Sequence, residues 1–152
     1  MKGVYVLIIQ VKKPVKVQIK SLGDTEFVPS VWAYVGSAMG TGSTSLKNRL
    51  RRHFRKEKTI YWHIDYLLNE DIEIEKAIWA QSERHLECDL AQSLASNNEF
   101  NAGPKGFGAS DCKSGCIAHI FKHQNGKAID DVLTGIFVGL DLQPQSTMDG
   151  IL

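Results

Sequence analysis

A dense run of cations in the first half of the chain contains the residues best suited to binding phosphate. Seven lysines and arginines fall within residues 47–58, and only Glu57 opposes them. The net charge of the whole chain is only +1, so the run is a local basic patch in a nearly neutral protein. Such a patch suits contact with nucleic acid, although charged helices are more usually just solvated. The side chains that we expect to contact phosphate are Lys47, Arg51, Arg52, Arg55, Lys56 and Lys58.

The basic run is predicted to form a helix from Leu46 to about Lys56, with Ser45 as its N-cap. Apolar residues recur along it at helical spacing and give it one buried stripe. Arg49 and His53 fall along one edge of that stripe, so the helix can hold Arg49 against a cleft. A histidine in this position is more often a satisfied core residue than a catalyst, and both interpretations of His53 stay open.

A further helix is predicted from Ser82, as its N-cap, to about Ala95. At the helical rotation of roughly 100° per residue, Glu83 and Glu87 project close to the leucines of its apolar stripe. A carboxylate among buried leucines costs on the order of several kcal/mol unless it is paired or bound to a cation. Glu87 therefore needs a partner, which is either a divalent metal ion or an intramolecular salt bridge.

Tyr5 and Tyr34 lie in apolar segments that are predicted to be strands. Aromatic residues favour strands in any case, so either tyrosine alone is weak evidence for a site. Hydrolysis of a phosphodiester needs a deprotonated nucleophile and positive charge beside the phosphate. A phenol, with a pKa of about 10, can act as a base at neutral pH only where cations stabilise the phenolate. Arg49 and a metal ion at Glu87 would be those cations, and Mg²⁺ needs few protein oxygens.

The three cysteines raise a question of metal binding. Cys112, Cys116 and His119 are close in sequence, and Cys88 or His123 would supply a fourth ligand. Structural zinc sites generally have tighter, paired spacings, so we do not expect zinc here and interpret the stretch as buried thiols and a turn. Three cysteines cannot all pair with one another, and nothing in the sequence implies secretion. A reducing cytoplasm is therefore the expected location.

The elements that must position these residues follow from the spacing of apolar residues. A chain of 152 residues suits one domain, which we expect to span residues 1–142, with a loose tail over 143–152. No apolar run approaches the length of a membrane span, so no membrane partner is expected. The first three strands are expected to form an antiparallel sheet between neighbours in the sequence. The predicted strands are 3–11, 15–20, 31–37, 72–80 and 117–121; the predicted helices are 46–56, 61–69, 82–95 and 129–137, with a loop over 97–110.

Several motifs resemble those of the GIY-YIG nuclease superfamily, over roughly residues 3–121. One set is similar to the superfamily signature, and a second, more specific set is similar to an uncharacterised branch that occurs alone or fused to endonuclease III-like repair glycosylases. The first set is Gly3-Val4-Tyr5, Tyr34-Val35-Gly36-Ser37-Ala38 and Leu46-Lys47-Asn48-Arg49-Leu50; the second is Arg51-Arg52-His53, Trp62-His63-Ile64-Asp65-Tyr66-Leu67-Leu68, Glu87-Cys88 and Gly106-Phe107-Gly108-Ala109-Ser110-Asp111-Cys112.

The resemblance implies an α+β fold with a small, mainly antiparallel central sheet flanked by helices. It also implies that Tyr5 is the general base for the attacking water, that Tyr34 positions this water and that Arg49 stabilises the scissile phosphate. Glu87 would hold one divalent metal ion, usually magnesium. Where nucleases of the superfamily often have a lysine after the second triplet, this chain has Ser37.

The expected function is therefore Mg²⁺-dependent hydrolysis of phosphodiester bonds in DNA, with RNA left open, and a role in DNA repair. A repair protein is the expected partner, because the similar branch is found fused to repair enzymes. The alternative from another class is a nucleic-acid-binding adaptor that keeps the basic cleft and does not cut. The expected catalytic residues are Tyr5, Tyr34, Arg49, His53 and Glu87.

Overall fold

One long strand, β1 (Gly3–Val11), is the centre of the fold, and it is buried on both faces as its continuous apolar run predicts. It pairs in antiparallel fashion with β4 (Ser30–Ala38) on one side and with β5 (Glu73–Gln81) on the other. In the computed structural model these strands belong to a six-stranded, mainly antiparallel sheet flanked by four helices, which confirms the expected α+β class. The structure describes residues 1–56, 58–110, 112–124 and 126–152, so Glu57, Asp111 and Asn125 lie outside the described residues.

Short strands extend the sheet at both edges. β7 (Ile120–His123) pairs with β4, and β6 (Phe100–Ala102) pairs with β7 beyond it. β8 (Gln145–Thr147) pairs with β5 at the opposite edge. The expected loop over 97–110 therefore contains a strand, and the residues after 143 include a paired strand rather than only a loose tail. Strands of three residues are too short to show the alternation by which a strand is recognised.

β2 (Val15–Ile19) and β3 (Gly23–Phe27) form a separate two-stranded hairpin. We expected the second apolar segment to join the main sheet beside β1, but β4 takes that place. The chain turns at Gly23, whose φ of +81° is a conformation that glycine adopts without strain. Phe27 is fully buried and anchors the hairpin in the core that includes one face of β1.

The helices are α1 (Leu46–Phe54), α2 (His63–Leu68), α3 (Glu87–Ala95) and α4 (Ile129–Gly139), with one turn of 3-10 helix over Gly42–Thr44. Ser45 caps α1 as predicted, because its side chain accepts a hydrogen bond from the Asn48 N–H. α3 begins at Glu87 rather than after Ser82, because the Ser82 hydroxyl accepts the Arg84 N–H in a local turn instead. Among the described residues, no helix has the length and apolar character needed to cross a membrane.

The two faces of the sheet carry separate cores. Tyr5 and Leu7 belong to the core formed with α1, α2 and the hairpin. Val6 and Ile8 belong to the opposite core, which is formed with α3 and α4. Because successive side chains of a strand point to opposite faces, Tyr5 is placed on the face that the basic helix covers.

Candidate active site

One pocket of about 590 Å³ brings together residues from β1, β4, α1 and α3. Four of the five expected catalytic residues line it, namely Tyr5, Tyr34, Arg49 and Glu87. These residues are far apart in the sequence and become neighbours only through the pairing of β1 with β4 and the packing of the two helices. The pocket is therefore the place where the chemistry expected from the sequence would occur.

The glycine of the second triplet explains how Tyr5 fits beside β4. Tyr5 and Gly36 are opposite each other in the register of β1 and β4, and Tyr34 faces the same core. A Cβ at Gly36 would lie 2.5 Å from the phenol end of the Tyr5 side chain, so any other residue would displace that ring. Gly3, in the first triplet, is equally confined, because a Cβ there would overlap the backbone oxygen of Ala80. Both glycines are positions of close packing that bring the tyrosines to one face.

Tyr5 shares a buried hydrogen bond with His53, with 2.7 Å between the phenol oxygen and Nε2. Burial raises the pKa of Tyr5 well above its usual value and lowers the pKa of His53 to about 3. Both groups are therefore uncharged at neutral pH, and the histidine tautomer decides which of them donates. Nδ1 of His53 is buried and has no hydrogen-bond partner among the described residues. His53 thus lies behind Tyr5 rather than in the wall of the pocket.

Arg49 is held against the pocket wall by two contacts, as the helical geometry predicts. Its guanidinium donates a hydrogen bond to the carbonyl oxygen of Ser37, and its Cζ lies 4.4 Å from the centre of the Trp62 ring. Burial raises the pKa of Tyr34, the Glu87 charge raises it further, and Arg49 opposes this rise only in part. The pocket therefore combines a positioned cation with phenols that keep their protons.

Arg52, one of the expected nucleic-acid contacts, makes structural contacts within the chain. Its guanidinium makes a bidentate ion pair with Asp65, with both N–O distances at 2.9 Å, and it also donates to the carbonyl of Thr59. The Asp65 side chain is fully buried and accepts hydrogen bonds from the backbone N–H groups of Tyr61 and Trp62. Burial opposes ionisation of Asp65, but these hydrogen bonds hold its pKa below the ordinary value. The ion pair thus fixes the start of α2 against α1.

The other expected phosphate contacts lie outside the pocket. Lys58 is half-buried and donates a hydrogen bond to the backbone carbonyl of Arg55. Burial lowers the pKa of Lys58. The remaining four cations are exposed, and we call them the basic surface: Lys47, Arg51, Arg55 and Lys56.

Glu87 was expected to need a partner, and it has two polar partners within the chain. Its Oε1 accepts a hydrogen bond of 2.7 Å from the Ser37 hydroxyl. Its Oε2 lies 2.8 Å from Nδ1 of His119, within ion-pair distance, although the N–H direction is not aligned for a regular hydrogen bond. Because α3 begins at Glu87, the carboxylate also benefits from the positive end of the helix dipole. The side chain is 29% exposed and faces the pocket rather than the leucine stripe.

Three cysteines and His119 meet immediately behind Glu87. One ligand atom from each of Cys88, Cys112, Cys116 and His119 lies within 4.8 Å of the others. The closest pair is the sulfurs of Cys88 and Cys112, at 2.7 Å, and all three cysteines are free. Of the two residues considered as a fourth ligand, the structure brings in Cys88. The other, His123, packs its ring against Phe100 on the edge strands.

The three thiols differ in the direction in which their surroundings shift the pKa. Desolvation raises the pKa of Cys88 and of Cys116. Desolvation also acts on Cys112, but hydrogen bonds from Cys88 and from the backbone N–H groups of Cys116 and Ser114 outweigh it and lower the pKa of Cys112. The loop thus directs several hydrogen-bond donors at one sulfur atom.

Two residues of the pocket received no role from the sequence. Trp62 lies between two guanidinium groups, with Cζ of Arg49 at 4.4 Å and Cζ of Arg52 at 4.6 Å from the ring centre. Ser37 connects Arg49 to Glu87, because its carbonyl accepts from the first and its hydroxyl donates to the second. Both residues belong to motifs that carry the resemblance, but an isolated tryptophan or serine has no spacing that indicates these contacts.

The class defined by these features is an α+β protein with an antiparallel sheet and a polar pocket beside a cluster of cysteines. Residues 4–141 match the family described as Domain of unknown function DUF123, and the chain belongs to this family. Comparison with curated proteins and comparison with solved structures each gave no significant match.

Proposed function

We propose that the chain is a Mg²⁺-dependent endonuclease of the GIY-YIG type that hydrolyses phosphodiester bonds in DNA, acting in DNA repair in the cytoplasm. The observation that carries the proposal is the meeting of Tyr5, Tyr34, Arg49 and Glu87 in one pocket. A structural domain has no need to gather two phenols, a guanidinium and a carboxylate around an open cavity. The resemblance predicted the same four residues from sequence alone.

Arg49 is the residue that we expect to stabilise the charge of the scissile phosphate. Its contacts with Ser37 and Trp62 fix it before substrate binds, so little reorganisation is required during the reaction. The exposed basic surface would then bind flanking phosphates and position the strand, without reading its sequence.

Glu87 fits the requirement for a magnesium ligand. Each carboxylate oxygen has one polar partner, Ser37 or His119, and a carboxylate has roughly four acceptor positions, so two remain. Mg²⁺ is commonly bound through one or two carboxylates and keeps water ligands. When bound there, the ion would supply charge neutralisation at the phosphate.

The proton of Tyr5 must leave before Tyr5 can act as a base. Nε2 of His53, at 2.7 Å, is the acceptor that the geometry offers. Burial raises the pKa of Tyr5 and lowers that of His53, which opposes transfer of the phenol proton to Nε2 in the free protein. The proposed step therefore requires the added charge of a metal ion at Glu87, after which the phenolate accepts a proton from the attacking water. Positive charge at Arg49 already favours the phenolate in the free protein, and a divalent ion held by Glu87 would favour it further.

The purified chain incubated with branched, nicked and single-stranded DNA, in Mg²⁺ or in EDTA, tests the proposal. We expect cutting that requires Mg²⁺ and falls by about 10²–10³-fold in Arg49→Ala, the usual effect of losing one charge-stabilising donor. Lys13→Ala is the control, because it removes an exposed cation that lies outside the basic surface and the pocket. Glu87→Gln should abolish the Mg²⁺-dependent cutting. Absence of cutting with every metal and substrate, RNA included, would refute the proposal.

A nucleic-acid-binding adaptor is the second candidate, and the protonated phenols favour it. Burial raises the pKa of both Tyr5 and Tyr34, which opposes a role as base in the free protein. An adaptor would keep the basic surface and Arg49 as phosphate contacts. It predicts salt-sensitive binding of DNA or RNA with no cutting, and Glu87→Gln would leave that binding unchanged or stronger.

A further inference from the structure

We propose that Cys88, Cys112, Cys116 and His119 together bind one zinc ion, and that this ion positions Glu87. The four residues come from two separate parts of the chain, the start of α3 and residues 112–119. The proposal concerns a different site from the magnesium ion of the proposed nuclease and does not rest on that activity.

The distances within the cluster suit a tetrahedral ion. Zinc–sulfur bonds are about 2.3 Å long, so sulfur atoms of a tetrahedral site lie about 3.8 Å apart. The ligand atoms of the cluster all lie within 4.8 Å of one another, and the closest two sulfurs are 2.7 Å apart. Adjustments of about an ångström would bring all four atoms to zinc distance. The short sulfur–sulfur contact is too long for a disulfide bond, which is about 2.05 Å.

His119 has the arrangement of a metal-bound histidine. Its side chain is 1% exposed, its Nε2 lies 3.9 Å from the sulfur of Cys88, and its Nδ1 lies 2.8 Å from the Glu87 carboxylate. Histidine ligands usually donate their second ring N–H to a carboxylate or carbonyl, which fixes the ring and the tautomer. Glu87 lies on the Nδ1 side of the ring at that distance, although the N–H is not aligned with it, and Nε2 lies on the side of the cysteines.

Zinc is the ion that this donor set favours. Three thiolates and one imidazole are soft and borderline ligands, which exclude magnesium and calcium in practice. Iron–sulfur clusters generally require four cysteines, or two histidines on one iron in the Rieske type. Four protein ligands complete the tetrahedron and leave no open position, which is typical of a structural site.

The cluster ties the loop before β7 to the first turn of α3, where Glu87 turns toward the pocket. Oε2 of Glu87 faces the histidine of the cluster, whereas Oε1 accepts from Ser37 in the pocket wall. An ion bound to His119 would therefore hold Glu87 in place from behind. The same contact also orients the His119 ring, so loss of Glu87 should weaken zinc binding without removing a ligand.

Metal analysis of the full chain, purified under reducing conditions without added chelator, tests the proposal. We expect one zinc per chain, and replacement by Co²⁺ should give the charge-transfer absorption of cobalt–thiolate bonds. The double variant Cys112→Ser/Cys116→Ser should lose the zinc. His123→Asn, which changes the histidine that the structure leaves out of the cluster, should retain it.

Measurements on the unmodified protein guard against a variant that simply fails to fold. Zinc added to the metal-free chain should raise its Tm and protect all three thiols from alkylation. Failure of the unmodified chain to bind zinc would overturn the proposal, as would one zinc per chain in the double variant or a Cys88–Cys112 disulfide in the reduced preparation. Glu87→Gln should keep the zinc, with affinity lowered about 10–100-fold as for other outer ligands. Loss of DNA cutting with zinc retained would concern the nuclease site alone.

Discussion

The two hydrophobic cores on opposite faces of the central sheet differ in composition. Behind Val6 and Ile8, the core with α3 and α4 is formed by aliphatic and aromatic side chains. The opposite core also buries polar groups beside its apolar residues, namely the Tyr5–His53 hydrogen bond and the ion pair of Asp65 with Arg52. An apolar core needs only volume and shape, whereas buried polar groups need specific partners.

The difference shows how the pocket is made rigid. Asp65 fixes Arg52 and the start of α2, and Trp62 at that start packs against Arg49. The polar pairs thus form a chain of contacts that ends at the pocket, whereas the apolar face supports the sheet as a whole. Substitutions in the two cores should therefore differ in their effects on stability and on the pocket.

The largest effect is expected from Asp65→Ala. Removal of one partner from a buried ion pair typically costs about 3–5 kcal/mol of unfolding free energy, because the remaining charge and the N–H donors lose their partner. Urea denaturation measures this loss. Asp71→Ala, which removes an exposed carboxylate close by, should change stability by less than about 0.5 kcal/mol. A loss below about 1 kcal/mol for Asp65→Ala would show that the ion pair is unimportant.

Leu133→Ala tests the apolar face. The side chain is fully buried in the second core, so the cavity should cost about 2–5 kcal/mol. Leu133 lies on α4, which contributes no residue to the pocket, so DNA binding and cutting under folding conditions should be unchanged. Val138→Ala, at a position 58% exposed on the same helix, is the control for loss of an apolar side chain. A pocket defect in Leu133→Ala would mean that the two faces are coupled.

Gly36→Ala tests the close packing that places Tyr5. The new methyl group would lie 2.5 Å from the phenol, so the ring must move, at a cost of about 1–3 kcal/mol. The same change at Gly135, where nothing lies within 4 Å in an exposed part of α4, should stabilise by about 0.5–1 kcal/mol. Opposite signs for the two variants in thermal denaturation would confirm the packing role, and equal effects would contradict it.

Counted per pH unit, the smallest effect, and the most specific one, is the acid dependence of stability due to His53. Burial lowers its pKa to about 3 in the folded chain, whereas the unfolded chain binds a proton below about pH 6.5. The unfolded state therefore binds more protons between these values, and stability falls as pH falls, by at most about 1.4 kcal/mol per pH unit. Stability of the wild type and of His53→Gln across this range measures the difference. Parallel pH profiles for the two proteins would show that His53 is not buried in its neutral form.

Much of the local structure could be read from the sequence. The apolar run of β1, the Ser45 cap and the position of Arg49 on the cleft edge of α1 are confirmed. Each depends on residues within a few positions of one another, through strand alternation, helical rotation or a capping hydrogen bond. Errors at this level concern elements too short to have a period, such as β6 and β8, and the start of α3, where Ser82 closes a local turn instead of capping the helix.

Only the tertiary structure shows which residues that are distant in the sequence contact one another. Arg52 and Arg51 are adjacent members of one basic run, yet Arg52 pairs with Asp65 while Arg51 stays exposed. Cys88 joins Cys112 because α3 and the loop before β7 pack together. Local periodicity records whether a side chain is buried, but it contains no information about which distant group meets it. The sequence alone thus determined the elements and the residue types available for chemistry, and the packing of α1, α2 and α3 on the sheet decided which of them meet.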